Sequence, residues 1–301
     1  MRAFAGPSSA ALASSDAVIE LDRVTKDFTV GWCGVRLRAL DALNLRIRRG
    51  QVYGLLGPNG SGKSTALKII LGLVAPTAGR CTVCGIPSDR VEARRRIGYL
   101  PESPWFYGYL TGRELVQFYG RMAGLSGARL LARVEEVLAW SGLGEGADRR
   151  VETYSKGMLQ RVGLAQVLVH DPELVILDEP TAGLDPDGVE AVTGLILNLK
   201  AEGKTVLITS HLLAQIEEVC DRTAILDRGR LIVESAVSDL TASDHRQMLV
   251  VNRLPAGELD ALRAWLRARG HTIESVGPPP ARLDDVFREA AARPECGSVC
   301  G

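Results

Sequence analysis

The chain has 301 residues, 46% of them hydrophobic, and its 36 basic and 36 acidic side chains cancel to a formal net charge of zero. That is enough apolar material for one large core or two smaller ones. The balanced charge excludes an electrostatic case for nucleic acid or an anionic membrane surface, and no apolar run reaches the roughly 18 residues of a membrane-spanning helix.

In chain order, residues 1–17 read as a disordered tail, because Gly6-Pro7-Ser8-Ser9 interrupts the apolar segment that a secretion signal requires. Residues 18–30 and 43–48 predict two strands joined by a loop. The apolar runs VYGLL (52–56), LVILD (174–178), TVLITS (205–210) and RTAILDRGRLIVE (222–234) predict strands buried on both faces, as in a parallel sheet covered by helices. The last run reads as a hairpin turning at Asp227-Arg228-Gly229. Between 110 and 170 the period becomes helical, with breaks at Gly124, Gly127, Gly142 and Gly146, which predicts a helical subdomain inserted into an α/β core. After Asp239 a small extension follows: a strand, a helix over 257–269, a strand over 271–276 and, beyond a proline linker, a last helix.

Cysteines offer two close pairs, Cys81 with Cys84 and Cys296 with Cys300. The first lies in RCTVCG, which alternates like a strand; positions three apart then face opposite sides and cannot jointly hold zinc without a sharp turn. Cys33 and Cys220 have no neighbour in the sequence, so a reduced chain without a shared zinc site is expected.

The chemistry starts at GPNGSGKST, residues 57–65, between the apolar strand 52–56 and the apolar helical run ALKIILGL. That context suits a phosphate-binding loop. Gly57, Gly60 and Gly62 allow backbone N–H groups to turn inward on a β-phosphate at a helix N-terminus. Lys63 supplies a point charge to the β- and γ-phosphates, and Ser64 a hydroxyl for Mg²⁺. A nucleoside triphosphate is the expected ligand, held along Gly57, Pro58, Asn59, Gly60, Ser61, Gly62, Lys63, Ser64 and Thr65. Further on, LVILDEPTAGLD sets Asp178 and Glu179 at the carboxyl end of a buried strand, where open α/β sheets place their ligands. Asp178 suits Mg²⁺ through its water shell; Glu179, near the metal but not on it, suits polarisation of an attacking water.

With these motifs in order, the chain resembles the ATP-binding subunits of ABC transporters over roughly residues 18–235. Residues 57–65 match the family's Walker A motif and 174–179 its Walker B motif. TAGLD (181–185), with Asp185, matches the D-loop, and His211 in ITSHLL the switch histidine that senses the γ-phosphate. YSKGMLQR stands where the signature motif belongs. The resemblance implies a P-loop ATPase core of α/β class with a mostly parallel sheet, an antiparallel β subdomain and the inserted helical subdomain at about 103–170. The ATP-binding domain then covers 18–238, and 239–301 is a small α+β extension. It also implies ATP and Mg²⁺ as ligands, with Ser64, Asp178 and Glu102 around the metal. Phe28 in TKDF best matches the aromatic that stacks on adenine, with Trp32 second.

In this family two such domains pack head to tail, each ATP lying between one Walker A loop and the partner's signature helix. Ser155, Lys156 and Gly157 would then face a nucleotide held by a second copy of the chain, in a homodimer. Ser155 caps a helix on which Met158, Val162, Ala165 and Val169 share a face. Lys156 sits against the helix dipole, at a cost of about 0.3–1 kcal/mol if exposed. It either meets the partner's triphosphate or carries its ammonium into solvent on a long stem. Two departures from the usual family pattern, Lys156 with Met158 in the signature and Glu102 at the Q-loop position, resemble subunits of exporters for drugs, lipids, polysaccharides or antibiotics. Glu102 must face Mg²⁺ or stay withdrawn from the phosphates. The aromatics Trp105, Phe106, Tyr107 and Tyr109, ahead of a Thr111-capped helix, read either as an exposed patch or as core. In the family that segment docks the permease, which implies a peripheral location on the cytoplasmic face of the cell membrane.

Two other readings compete. A soluble ATPase of translation or DNA repair is opposed by the single Walker A, the single signature and an interval 66–154 too short for a long coiled coil. A non-catalytic binding module is opposed by intact Lys63, Asp178, Glu179 and His211. The transported substrate is not legible, since selectivity lies in the permease.

Overall fold

Alternating aliphatic and polar residues build the first two strands, β1 (Ala17–Val30) and β2 (Val35–Arg48), which pair antiparallel. The second strand begins at Val35 rather than at residue 43. Its first residues, Val35 and Leu37, are exposed and show no buried alternation, yet they pair with Val30 and Phe28, and Arg38 Nε bonds Asp27 at 2.9 Å. Cross-strand pairing sets this hairpin, not burial. The computed structural model describes residues 16–30, 34–210, 213–241, 257–270 and 273.

The chain continues through β3 (Val52–Leu56), α1 (Lys63–Ile70), β4 (Ala78–Val83), β5 (Ile86–Pro87), α2 (Val91–Arg94) and β6 (Ile97–Leu100). The inserted helices follow: α3 (Gly112–Met122), α4 (Gly127–Trp140) and α5 (Lys156–Leu168), with two short 3₁₀ turns between the last two. Thr111 starts α3 through a capping box, its hydroxyl accepting from Glu114 N–H while the Glu114 carboxylate accepts from Thr111 N–H. Then come β7 (Leu174–Asp178), α6 (Pro186–Ala201), β8 (Thr205–Thr209), α7 (Leu213–Val219), β9 (Arg222–Asp227), β10 (Arg230–Ala236) and α8 (Val237–Thr241). Helix α8 runs just past Asp239, and the strand expected between it and the helix at 257 lies outside the described residues.

Two sheets result. Strands β2-β1-β4-β5 form an antiparallel sheet, and β10-β9-β3-β8-β7-β6 a mixed one, parallel from β9 to β6. The parallel strands are buried on both faces, and successive residues feed opposite cores. Val175, Leu177, Val206 and Ile208 pack with the inserted helices, while Leu174, Ile176, Leu207 and Tyr53 pack with α1 and the antiparallel sheet. This is the expected α/β architecture. Cys84 follows β4 with a left-handed backbone, φ 51°, and Cys81, Cys84 and Cys220 are free thiols. Burial pushes the Cys81 thiol up to about 11.

Contacts divide the chain into units 1–242 and 243–301. In the second, α9 (Glu258–Arg267) carries half-buried Leu259, Leu262 and Leu266, and the Arg269 guanidinium lies 3.8 Å from the exposed Trp265 ring. The strand expected at 271–276 and the last helix lie outside the described residues, as do Cys33, Cys296 and Cys300.

Candidate active site

Strand β3 hands the chain to residues 57–62, and α1 starts at Lys63. Gly57 (φ 148°) and Gly62 (φ 108°) are demanded by space as well as by backbone angle. A Cβ on Gly57 would overlap the Leu226 carbonyl oxygen, and one on Gly62 would lie 2.8 Å from that of Ala39. The loop is therefore laid directly on the backbones of β9 and β2. It is pinned there by Gly229 N–H, which donates to the Ser61 carbonyl at 2.8 Å. Pro58, Asn59 and Gly60 form the exposed tip. Lys63 is only 9% exposed and donates to the Gly57 carbonyl at 2.6 Å and to that of Pro58 at 3.2 Å. Ser64 is exposed and Thr65 half-buried, while the Ser61 hydroxyl is buried without a hydrogen-bond partner among the described residues.

Parallel register brings the second cluster to the same place. Strands β3, β8 and β7 are adjacent and point the same way, so the loop after β3, Thr209 and Asp178 all stand at one edge of the sheet. Thr209 Oγ1 donates to Asp178 Oδ1 at 2.5 Å, and Glu179 N–H donates to Thr209 Oγ1 at 3.0 Å. Glu179 itself is left-handed, φ 48°, a sparsely populated conformation for a side-chain-bearing residue. Tyr99 of β6 completes the cluster: burial, with the Asp178 carboxylate close by, pushes its hydroxyl up to about 12.

Beyond Glu179 the turn 181–185 leads into α6, which Asp185 caps by accepting from Gly188 N–H at 3.1 Å. The Thr181 hydroxyl donates to Gln215 Oε1 at 2.8 Å, and Ser210 Oγ donates to the same oxygen at 3.3 Å. Ser155 caps α5 by accepting from Met158 N–H at 3.3 Å, and Val162, Ala165 and Val169 on the expected face are buried. Lys156 is exposed, and its ammonium stands where a Cβ of the equally exposed Gly183 would project. A Cβ on Gly157 would meet nothing within 4 Å among the described residues.

Glu102 is exposed at the end of β6, without an ion pair among the described residues. Phe28 is half-exposed, and one face of its ring is covered by Lys26 Nζ at 5.1 Å, itself donating to the Ala75 carbonyl at 2.8 Å. The aromatic run divides. Trp105 (81% exposed), Tyr107 and Tyr109 form a surface cluster with Phe118, whereas Phe106 packs against the core. His211 and Trp32 lie outside the described residues. Thr209, Tyr99 and Gln215 were not singled out from the sequence. Of these, only Thr209 carried a signal, a hydroxyl ending an apolar strand beside the acidic one.

The family described as ABC transporter matches residues 40–182. An uncharacterized ABC transporter ATP-binding protein of Synechocystis sp. is 39% identical over 252 residues, 83% of this chain and 70% of that protein. Nod factor export ATP-binding protein I of Paraburkholderia xenovorans is 39% identical over 231 residues, 76% and 74% of the two chains. Linearmycin resistance ATP-binding protein LnrL of Bacillus subtilis is 36% identical over 239 residues, 78% and 77%. Among solved structures, cbiO1 from Clostridium perfringens, part of an ABC transporter complex, superposes with a TM-score of 0.69 at 29% identity, covering 76% of this chain and 92% of that one. The dimeric cassette MJ0796 bound to ADP and Pi gives 0.66 at 29% identity, covering 73% and 98%. The chain belongs to the ATP-binding proteins of ABC transporters, and it is an ATPase of that family.

Proposed function

We propose that the chain energises an exporter, working as one of two copies in a head-to-tail dimer held to the cytoplasmic face of a membrane by a separate permease. The observation that carries the catalytic part is the convergence of residues 57–65, Asp178, Glu179 and Thr209 on one edge of the parallel sheet. Residues 57–65 cradle the triphosphate, and Lys63 exchanges its two loop carbonyls for phosphate oxygens. The uncovered face of Phe28 stacks on adenine. The hydroxyl of Ser64 and the carboxylate of Asp178 are hard oxygen donors of the kind Mg²⁺ takes, with the exposed Glu102 free to approach. Bound Mg²⁺ would supply positive charge to the phosphate oxygens. Thr209 holds the Asp178 carboxylate in place and Glu179 polarises the attacking water. His211 senses the γ-phosphate and Asp185 orders the turn beside it.

The signature assignment gains support from Gly157, since nothing among the described residues occupies the space a side chain would fill there. A bare backbone at the start of α5 suits close approach of the partner's phosphate, with Ser155 and the Lys156 charge beside it. Exposed Trp105, Tyr107 and Tyr109, with half-buried Phe106 beneath, suit an anchor for a permease segment. Export is the direction favoured by relatives named for Nod factor export and linearmycin resistance. Residues 18–238 carry the nucleotide work, and 239–301 form an extension to it.

Glu179→Gln tests the catalytic assignment. The variant should keep ATP bound, lose hydrolysis and accumulate a dimer on size exclusion in Mg-ATP. Hydrolysis at the wild-type rate would remove Glu179 from the mechanism.

A further inference from the structure

Lys156 begins α5 at the helix end that disfavours a cation, and among the described residues it makes no ion pair or hydrogen bond. Its Nζ nonetheless fills the space into which a Cβ of Gly183 would project. Gly183 is the left-handed residue, φ 67°, of the turn that follows Glu179. That turn is tied at its start by the Thr181 hydroxyl on Gln215, at 2.8 Å, and at its end by Asp185 on Gly188 N–H, at 3.1 Å. Inside it, Ala182 N–H donates to the Glu179 carbonyl at 3.0 Å and Leu184 N–H to the Thr181 carbonyl at 3.2 Å. Between the two ties Gly183 is exposed, and among the described residues only the Lys156 side chain, reaching over from α5, comes within 4 Å of the position a Cβ of Gly183 would take. Among the described residues the ammonium has no hydrogen-bond acceptor there, so what it brings to Gly183 is side-chain volume.

We propose that Lys156 is a positioning residue for the 181–185 turn, and that it acts through side-chain volume rather than charge. The proposal rests on the reading above, in which α5 faces the partner's nucleotide while the turn follows this chain's own catalytic carboxylate. Lys156 then links the helix that serves one ATP to the loop beside the other. Movement of α5 on the partner's nucleotide changes the room available to Gly183, and the turn after Glu179 follows.

The test is amide hydrogen exchange in the full chain without nucleotide, comparing wild type, Lys156→Ala and Lys156→Met. Methionine keeps an unbranched stem ending at the counterpart of lysine Cε, which lies 3.6 Å from the Gly183 Cβ position, and removes the ammonium with its charge. Exchange in the peptide spanning 180–188 should quicken by about threefold or more in Lys156→Ala and stay within about twofold of wild type in Lys156→Met, with no change on adding salt. Equal rates in Lys156→Ala and wild type would overturn the proposal, and so would a Lys156→Met rate as fast as that of Lys156→Ala, which would assign the effect to the ammonium and not to the volume of the stem. ATP hydrolysis is followed in parallel. Lys156→Ala should lower kcat more than it raises KM, and lower it further than Lys156→Met does. If wild type itself fails to hydrolyse ATP, the nucleotide reading falls, while the exchange rates still decide the role of Lys156 in the turn.

Discussion

Lys63 is the most exacting residue to perturb, because two roles meet on one ammonium. Within the chain it donates to the carbonyls of Gly57 and Pro58 while nine-tenths buried. Hydrogen bonds from a charged donor contribute about 1.5–3 kcal/mol each before other terms. Against them stand the cost of burying an ammonium and up to about 2 kcal/mol of lysine side-chain entropy. Because Pro58 is exposed, water takes over part of what the lysine leaves. Lys63→Ala should therefore destabilise the protein by only about 1 kcal/mol, roughly 2–4 °C in Tm for a domain of this size. The second role is larger. A ligand at a hundred times its Kd stabilises by about 2.7 kcal/mol, and that increment requires the phosphate contacts. Differential scanning fluorimetry with and without Mg-ATP separates the two roles. Wild type should rise by several degrees with Mg-ATP, and Lys63→Ala should start slightly lower and barely move. Lys63→Met, which keeps the buried stem, should recover some of the baseline and none of the ATP shift. A wild-type ATP shift in Lys63→Ala would refute the phosphate role.

Acid sensitivity and docking supply the other predictions. Burial holds His170 below its ordinary 6.5, with its Nε2 facing the Ile97 carbonyl at 3.2 Å, so the unfolded chain takes up that proton first as pH falls. Stability should accordingly be lost as pH drops below about 6.5, and His170→Gln should flatten that part of a Tm-against-pH curve; an unchanged slope would clear His170 of the effect. The Asp171 carboxylate, held down by Lys204, contributes with the same sign at lower pH. Trp105→Ala with Tyr109→Ser should leave Tm within about 2 °C, since both side chains are mostly exposed, yet deplete the chain from the membrane fraction of cells expressing its permease. Undiminished membrane association would move the docking site elsewhere.

The parts legible in the sequence are those whose chemistry is local. The 57–65 loop needs a strand, glycines at set spacing, a lysine and a helix, all contiguous, and the same holds for the Ser155 and Thr111 caps. What escaped notice depends on register between distant segments. Thr209 reaches Asp178 only because β7 and β8 pair with Asp178 opposite Thr209. Tyr99 arrives from a third strand, and Gln215 from helix α7. The early start of β2 escaped for another reason: its outer residues pair through backbone without being buried, and hydrophobic periodicity sees only burial.

Register also sets the two adjacent carboxylates in different surroundings. In a continued strand, Asp178 and Glu179 would point to opposite faces, and one would be driven into an apolar core at a prohibitive desolvation cost. The chain avoids this by ending β7 at Asp178 and turning Glu179 into the left-handed region, with its N–H bonded to Thr209. Asp178 stays in the strand, its Oδ1 fixed by the Thr209 hydroxyl and its position set by the sheet. Glu179 takes its position from a turn whose next residues are tied to Gln215 and covered by Lys156. The carboxylate suited to a metal is thus rigid, and the one suited to a water is placed by a loop that other segments hold. On the roles proposed above, a change in α5 or α7 should lower hydrolysis more than it lowers nucleotide affinity, and equal losses of the two would refute this division of labour.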